Sequence, residues 1–105
     1  MKPYTFALTA LACGLIGMSA AQAQTDDLQA RAWAASCVAC HGTGGKGPSS
    51  DGIPAIAGRS QQVLLEKLLA FKQGGLPATV MHQHAKGYSD AELARIAAFF
   101  ARQPR

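Results

Sequence analysis

Long basic runs are absent from this 105-residue chain, although its formal net charge is +4. The ten Lys and Arg residues are spread along the sequence, outnumber six Asp and Glu, and have little aromatic interleaving. A nucleic-acid-binding surface normally needs clustered positive charge. The composition therefore argues against a nucleic-acid partner.

Strand-like alternation, internal repeats and a linker between domains are also missing from the sequence. The apolar residues recur instead at helical spacing, separated by loops rich in Gly and Pro. A chain of this length has the size of one small domain. These features predict a single all-α domain.

The first 23 residues do not fit that domain. Lys2 gives a basic start, the apolar run FALTALACGLIGM follows, and Ala21 and Ala23 supply small residues for a peptidase. The run is short for a membrane span, so the pattern predicts a secretory signal peptide over residues 1–23 that is cleaved after Ala23. The mature domain is then 24–105, periplasmic and without a membrane span. An uncleaved anchor and a lipid on Cys13 are the alternatives.

Removal of residues 1–23 leaves very few chemically distinctive side chains. The remaining cysteines are Cys37 and Cys40, both in the stretch CVACH, and Met81 is the only methionine left. A domain of this size has a small hydrophobic core and commonly needs a cross-link, a metal or another bound group to stabilise it. A disulfide between such close cysteines closes a tiny loop and stabilises little. The stabilising group is therefore expected to be something other than a disulfide.

Three main helices are predicted. The first runs from about Asp27 to Ala39 or Cys40, after an acidic start suited to its dipole. The segment Gly42–Gly58 is a long loop of the kind that wraps a ligand. The second helix starts at Ser60 and ends at Gly74 and Gly75, and a loop that includes one helical turn near Met81 is expected to follow. The third starts at the capping box of YSDAEL and runs to about Arg102. Trp33 is expected to meet Phe99 and Phe100 where the first helix crosses the last.

The stretch CVACH has the attachment pattern of c-type haem. Cys37 and Cys40 can each add to one vinyl group of the same porphyrin, and His41 is then carried to the iron. A thiol-disulfide redox pair, a structural disulfide and a zinc site are the rivals. The zinc site would combine these three residues with a later histidine, although adjacent Cys40 and His41 are poorly placed for a tetrahedral ion. The export signal, the Gly-rich loop and the lack of spare cysteine favour one covalent haem c.

The sixth iron position is predicted to be filled by the thioether of Met81, which lies in a loop between two helices. His82 and His84 are competing ligands, and either would give bis-histidine iron of lower potential. Histidine and methionine ligation raises the potential. Iron with both axial positions filled passes single electrons and does no bond chemistry. The expected activity is electron transfer rather than catalysis, and the alternative function is a CxxC thiol-disulfide oxidoreductase.

With these motifs in this order, residues 27–103 resemble a class I c-type cytochrome, through CVACHG, the Gly-rich loop, IPAIAGRS, MHQHAKGYSDAEL and a terminal aromatic helix. The resemblance implies a small all-α fold of about three main helices and long loops wrapped around one covalent haem, with His41 and Met81 as axial ligands. It also implies that the carbonyl of Pro54 accepts the hydrogen bond of His41, which would fix the ring orientation.

The segment LLAFKQGGLPATVMHQHAKGYSDAEL carries a narrower likeness, to the cytochrome subunit of flavocytochrome c sulfide dehydrogenase and related sulfur-oxidation cytochromes. That resemblance implies a redox partner protein, in particular a flavoprotein sulfide dehydrogenase subunit. Many such relatives carry two haem domains, whereas this chain has one. Lys46, Lys72 and Lys86 are expected to lie near the exposed haem edge and to meet that partner.

Overall fold

The computed structural model describes residues 5–47 and 52–105, and these residues form an all-helical domain. No strand occurs among them, as the sequence predicted. The elements, in chain order, are helix α1 (Thr5–His41), a 3-10 turn (Thr43–Gly45), and helices α2 (Gln61–Gln73), α3 (Met81–Lys86) and α4 (Asp90–Ala101). The middle of the Gly-rich segment, residues 48–51, lies outside the described residues.

Helix α1 begins much earlier than the sequence predicted. It extends without a break from Thr5 to His41, 37 residues or about 55 Å. The prediction took the acidic pair at Asp26 and Asp27 as a helix start, but the Ala-rich sequence before them contains no Pro from Thr5 onward to stop a helix. The predicted cleavage point therefore lies inside α1. Within the described part of the chain, no helix is both long and apolar enough to cross a membrane.

The two aspartates serve a different purpose in the structure. Asp26 Oδ1 lies 3.4 Å from the Arg95 guanidinium, and Asp27 Oδ1 lies 2.5 Å from that of Arg102. Arg95 belongs to α4, and Arg102 directly follows its last residue. These exposed ion pairs add little stability each, but they hold α1 and α4 side by side.

The ends of α2 and α4 follow their local sequence signals. Ser60 is the N-cap of α2, and Gly74 ends the helix in a left-handed conformation with φ 78°. At α4, Ser89 Oγ accepts from the Glu92 amide at 3.2 Å, and the Glu92 carboxylate accepts from the Ser89 amide at 2.7 Å. The predicted capping box is therefore confirmed.

The core forms mainly where α4 packs on α1 and α2. Its three largest fully buried side chains, Leu93, Ile96 and Phe100, all come from α4. Trp33 of α1 and Phe99 pack against this cluster, and the rings of Phe99 and Phe100 meet edge to face at 5.2 Å. Trp33, Phe99 and Phe100 therefore take part in one hydrophobic cluster where α1 packs on α4. This packing places the end of α1, with the CVACH stretch, beside the loop that follows it.

Candidate functional site

The end of α1 presents three chemically distinctive side chains on one face. Cys40 and His41 follow Cys37 by three and four residues, the spacing at which helical side chains are neighbours. Cys37 is half-buried and Cys40 is exposed, and neither forms a disulfide. The site therefore offers two free thiols and an imidazole that point to the same region.

His41 is held by the loop that follows it. Its side chain is only 8% exposed, and Nδ1 lies 2.7 Å from the carbonyl oxygen of Pro54. A carbonyl can only accept, so Nδ1 carries the proton and Nε2 keeps its lone pair. Among the described residues, Nε2 makes no hydrogen bond. The imidazole is thus oriented through one nitrogen and free to bind a metal through the other.

The path of this loop depends on close contacts between its own backbone atoms. The Gly47 amide donates to the His41 carbonyl at 2.9 Å, and a Cβ on Gly42 would lie 1.4 Å from the Gly47 oxygen. Gly42 has φ +80°, a conformation that other residues rarely adopt. Gly42 therefore allows the chain to reverse directly after the histidine.

Gly45 fixes the return of the loop toward Pro54. Its carbonyl accepts from the amides of Ile56 and Ala57 at 2.7 and 2.9 Å. A Cβ on Gly45 would lie 2.7 Å from the Phe100 ring, which leaves no room for a side chain. The position of the Pro54 carbonyl thus depends on a packed contact with α4.

Met81 and His82 are the first two residues of α3, whereas the sequence predicted a loop with one turn at this point. Both are half-buried, and His84 is exposed. The Nδ1 atom of His82 is buried by protein atoms and has no hydrogen-bond partner among the described residues. The short helix places a thioether and two imidazoles within one turn and a half of each other.

Two further residues near the site were not recognised as contacts from the sequence. The Tyr88 hydroxyl lies 2.8 Å from Ser36 Oγ, beside Cys37. Lys72 was assigned to docking, but its ammonium lies 2.7 Å from Asp90 Oδ1 and donates to the Tyr88 carbonyl at 2.8 Å. No local signal connects positions that are 52 residues apart, such as Ser36 and Tyr88.

The protonation of Cys37 distinguishes it from a redox-active cysteine. Burial raises the pKa of the Cys37 thiol above its ordinary value, and the contact with Ser36 offsets only part of that effect. Thiol-disulfide oxidoreductases instead lower the pKa of their attacking cysteine to form the thiolate. The raised pKa of Cys37 therefore does not favour a thiol-exchange site at CVACH.

The donor set fits a covalently attached, iron-containing porphyrin. The free thiols suit attachment to vinyl groups, and the Nε2 atom of His41 and the thioether of Met81 are common iron ligands. In the part of the chain that the structure describes, no group of three or more His, Cys, Asp or Glu side chains is arranged to hold a metal ion by itself. The zinc site considered from the sequence is therefore not formed among these residues.

Comparisons with known proteins agree with this donor set. Residues 23–100 match the family described as cytochrome c oxidase, cbb3-type, subunit III. The chain is 46% identical over 65 residues to the cytochrome subunit of sulfide dehydrogenase from Chlorobaculum tepidum, covering 62% of this chain and 57% of that protein. It is 39% identical over 69 residues to a thiosulfate dehydrogenase electron acceptor from Thiomonas intermedia, covering 66% of this chain and 32% of that protein.

A third relative is matched over most of its own length. Cytochrome c-554(548) from Halomonas halodenitrificans is 39% identical over 70 residues, which are 64% of this chain and 83% of that protein. The chain thus spans about half or less of the two sulfur-oxidation relatives but most of this cytochrome. Since the family match covers most of the helical domain, including CVACH, the chain belongs to this cytochrome c family, which implies covalently bound haem c.

Proposed function

We propose that this protein passes single electrons through one haem c that is attached to Cys37 and Cys40 and ligated by His41 and Met81. The observation that carries the proposal is the hydrogen bond from His41 Nδ1 to Pro54 O, at 2.7 Å, directly after the free thiols. It fixes both the tautomer and the orientation that an axial ligand needs.

When bound, the haem supplies an iron that alternates between its ferrous and ferric states. The chain does the rest by holding and covering it. Cys37 and Cys40 would hold the porphyrin through thioether bonds, and the Pro54 carbonyl keeps the imidazole proton on Nδ1, so that Nε2 of His41 would bind the iron. The half-buried thioether of Met81 would be the second protein ligand. With both ligands supplied by the protein, small molecules would have no open iron site at which to react.

The proposal extends to the partner and the cellular location. Two relatives are named as the cytochrome subunit of sulfide dehydrogenase and as a thiosulfate dehydrogenase electron acceptor. By analogy, this chain receives electrons from a sulfur-oxidising protein, with a flavoprotein sulfide dehydrogenase subunit as the first candidate. Residues 1–23 direct it to the periplasm and are removed there, since they have the basic start, apolar run and small cleavage residues of a signal peptide.

Expression with a system for c-type haem attachment, followed by mass spectrometry under denaturing conditions, tests the proposal. The expected product has the mass of residues 24–105 plus one haem. Cys37→Ala and Cys40→Ala should each yield far less protein with covalent haem, and Ser36→Ala serves as a matched control beside the motif. A product with the mass of the bare chain, or with a Cys37–Cys40 disulfide, would contradict the proposal.

A further inference from the structure

Tyr88 connects three helices around the proposed site. Its hydroxyl reaches α1, where it lies 2.8 Å from Ser36 Oγ and 3.3 Å from the Trp33 carbonyl. Its own carbonyl accepts from the ammonium of Lys72 in α2 at 2.8 Å. Tyr88 also lies two residues after the end of α3, and its amide donates to Ala85 O. The residue therefore fixes the end of α3 against both α1 and α2.

The Ser36 hydroxyl donates to the Trp33 carbonyl at 3.0 Å, and the Tyr88 hydroxyl reaches the same carbonyl at 3.3 Å. The two hydroxyls lie 2.8 Å apart, and either of them can donate to the other. Ser36 Oγ lies 3.9 Å from Cys37 Sγ, so the network ends beside the first thiol of CVACH.

Helix α3 needs such an anchor because it cannot hold its own position. It contains six residues, and no side chain caps its first turn at Val80. Helices of this length are unstable in isolation and depend on tertiary contacts. Ala85 is buried at 1% exposure, but Met81 at the start of the helix is only half-buried. The hydroxyl of Tyr88 supplies a directional contact that apolar packing does not.

We propose that Tyr88 is a positioning residue whose hydroxyl holds α3, and with it Met81, at a fixed distance from the Cys37–His41 end of α1. The inference rests on the proposed ligation by Met81 for its effect on the iron, but not for its effect on α3. Without the hydroxyl, α3 should open more often and the thioether should leave the iron more readily.

The test is Tyr88→Phe in the haem-loaded protein, because phenylalanine keeps the ring and removes only the hydroxyl. Imidazole should then bind the oxidised iron about threefold to tenfold more tightly, which corresponds to the loss of one hydrogen bond. Amide hydrogen exchange in residues 81–86 should accelerate by a similar factor. The weak far-red absorption band of sulfur-ligated ferric iron should persist in Tyr88→Phe but be lost at lower imidazole concentration.

Two comparisons separate positioning from a loss of general stability. Ser36→Ala should reproduce part of the effect, and its effect should be less than additive with that of Tyr88→Phe because both remove the same contact. Ile96→Val removes one buried methyl group from α4 and lowers stability without touching the network. Imidazole affinity and exchange in α3 should be unchanged in that variant.

The proposal is overturned if Tyr88→Phe matches the unmutated protein in both readouts, or if Ile96→Val changes them equally. An absent far-red band in the unmutated protein would instead remove the assignment of Met81 as a ligand. The exchange comparison for residues 81–86 would still decide whether Tyr88 holds α3.

Discussion

At the scale of the residue, the site depends on how few side chains carry its chemistry. Cys37, Cys40 and His41 share one helix face, and the imidazole is oriented by a single backbone carbonyl at 2.7 Å. The sequence alone predicted these residues because their spacing is itself the motif. The resemblance implied Pro54, and the structure brings its carbonyl to the histidine.

The variant Met81→Ala tests the proposal that Met81 is the second axial ligand of the iron. We expect the far-red band of the oxidised protein to vanish and external ligands to bind, because the alanine leaves the sixth position open to water or a neighbouring imidazole. Axial ligands set haem potentials over a range of about 0.8 V, so the reduction potential should fall by on the order of 0.1 V.

His82→Ala and His84→Ala are the matched controls for that measurement, since they alter the same short helix. Both should keep the band. If the band is absent before mutation and one of the histidine variants changes the spectrum instead, the assignment of Met81 is wrong.

At the scale of the element, local signals predicted helix ends well where a signal was present. Ser60, Gly74 and the capping box of Ser89 and Glu92 mark their helix ends as expected. The predicted start of α1 was wrong because the sequence from Thr5 to Asp26 contains no Pro to stop a helix. The Ser36–Tyr88 contact could not be predicted, because it depends on how two helices far apart in sequence pack together.

The two serine caps differ in geometry and should differ in strength. Ser89 Oγ accepts from Glu92 N at 3.2 Å, whereas Ser60 Oγ accepts from Val63 N at 3.5 Å. Alanine at position 89 removes this side-chain acceptor but keeps the backbone amide, which donates to the Glu92 carboxylate at 2.7 Å. Ser89→Ala should therefore lower the free energy of unfolding by about 1 kcal/mol, and Ser60→Ala should lower it by less. Denaturant unfolding of the two variants measures both values. Equal losses would mean that the shorter hydrogen bond of Ser89 adds no stability over that of Ser60.

At the scale of the whole molecule, positive charge is the property that a partner meets first. The net charge of +4 becomes +3 once Lys2 is removed with the predicted signal peptide. A surface cleft of about 370 Å³ is lined by Lys46, Arg59 and Arg105 beside the loop that holds His41. Among the predicted docking lysines, Lys72 is already paired with Asp90, which makes it a weaker candidate.

The rate of electron transfer to a small redox reagent can measure the electrostatic attraction of this surface even when the partner is not known. Oxidation of the reduced protein by the ferricyanide anion should slow as salt rises, because screening weakens the attraction. Lys46→Gln should reduce that slope more than Lys67→Gln, which makes the same change in charge at an exposed position outside the cleft. Equal slopes for the two variants would show that only the net charge matters, and a rate independent of salt would exclude steering altogether.

The pairing of α1 with α4 also has a consequence for the order of events during synthesis and export. Under the proposed export, the chain crosses the membrane with α1 first, but the large core side chains that pack against α1 belong to α4. Until α4 has followed, Cys37 has no core to pack against, and Cys40 lies at the surface even in the folded domain. The proposed haem attachment can therefore act on accessible thiols in an unfolded chain, before the domain closes.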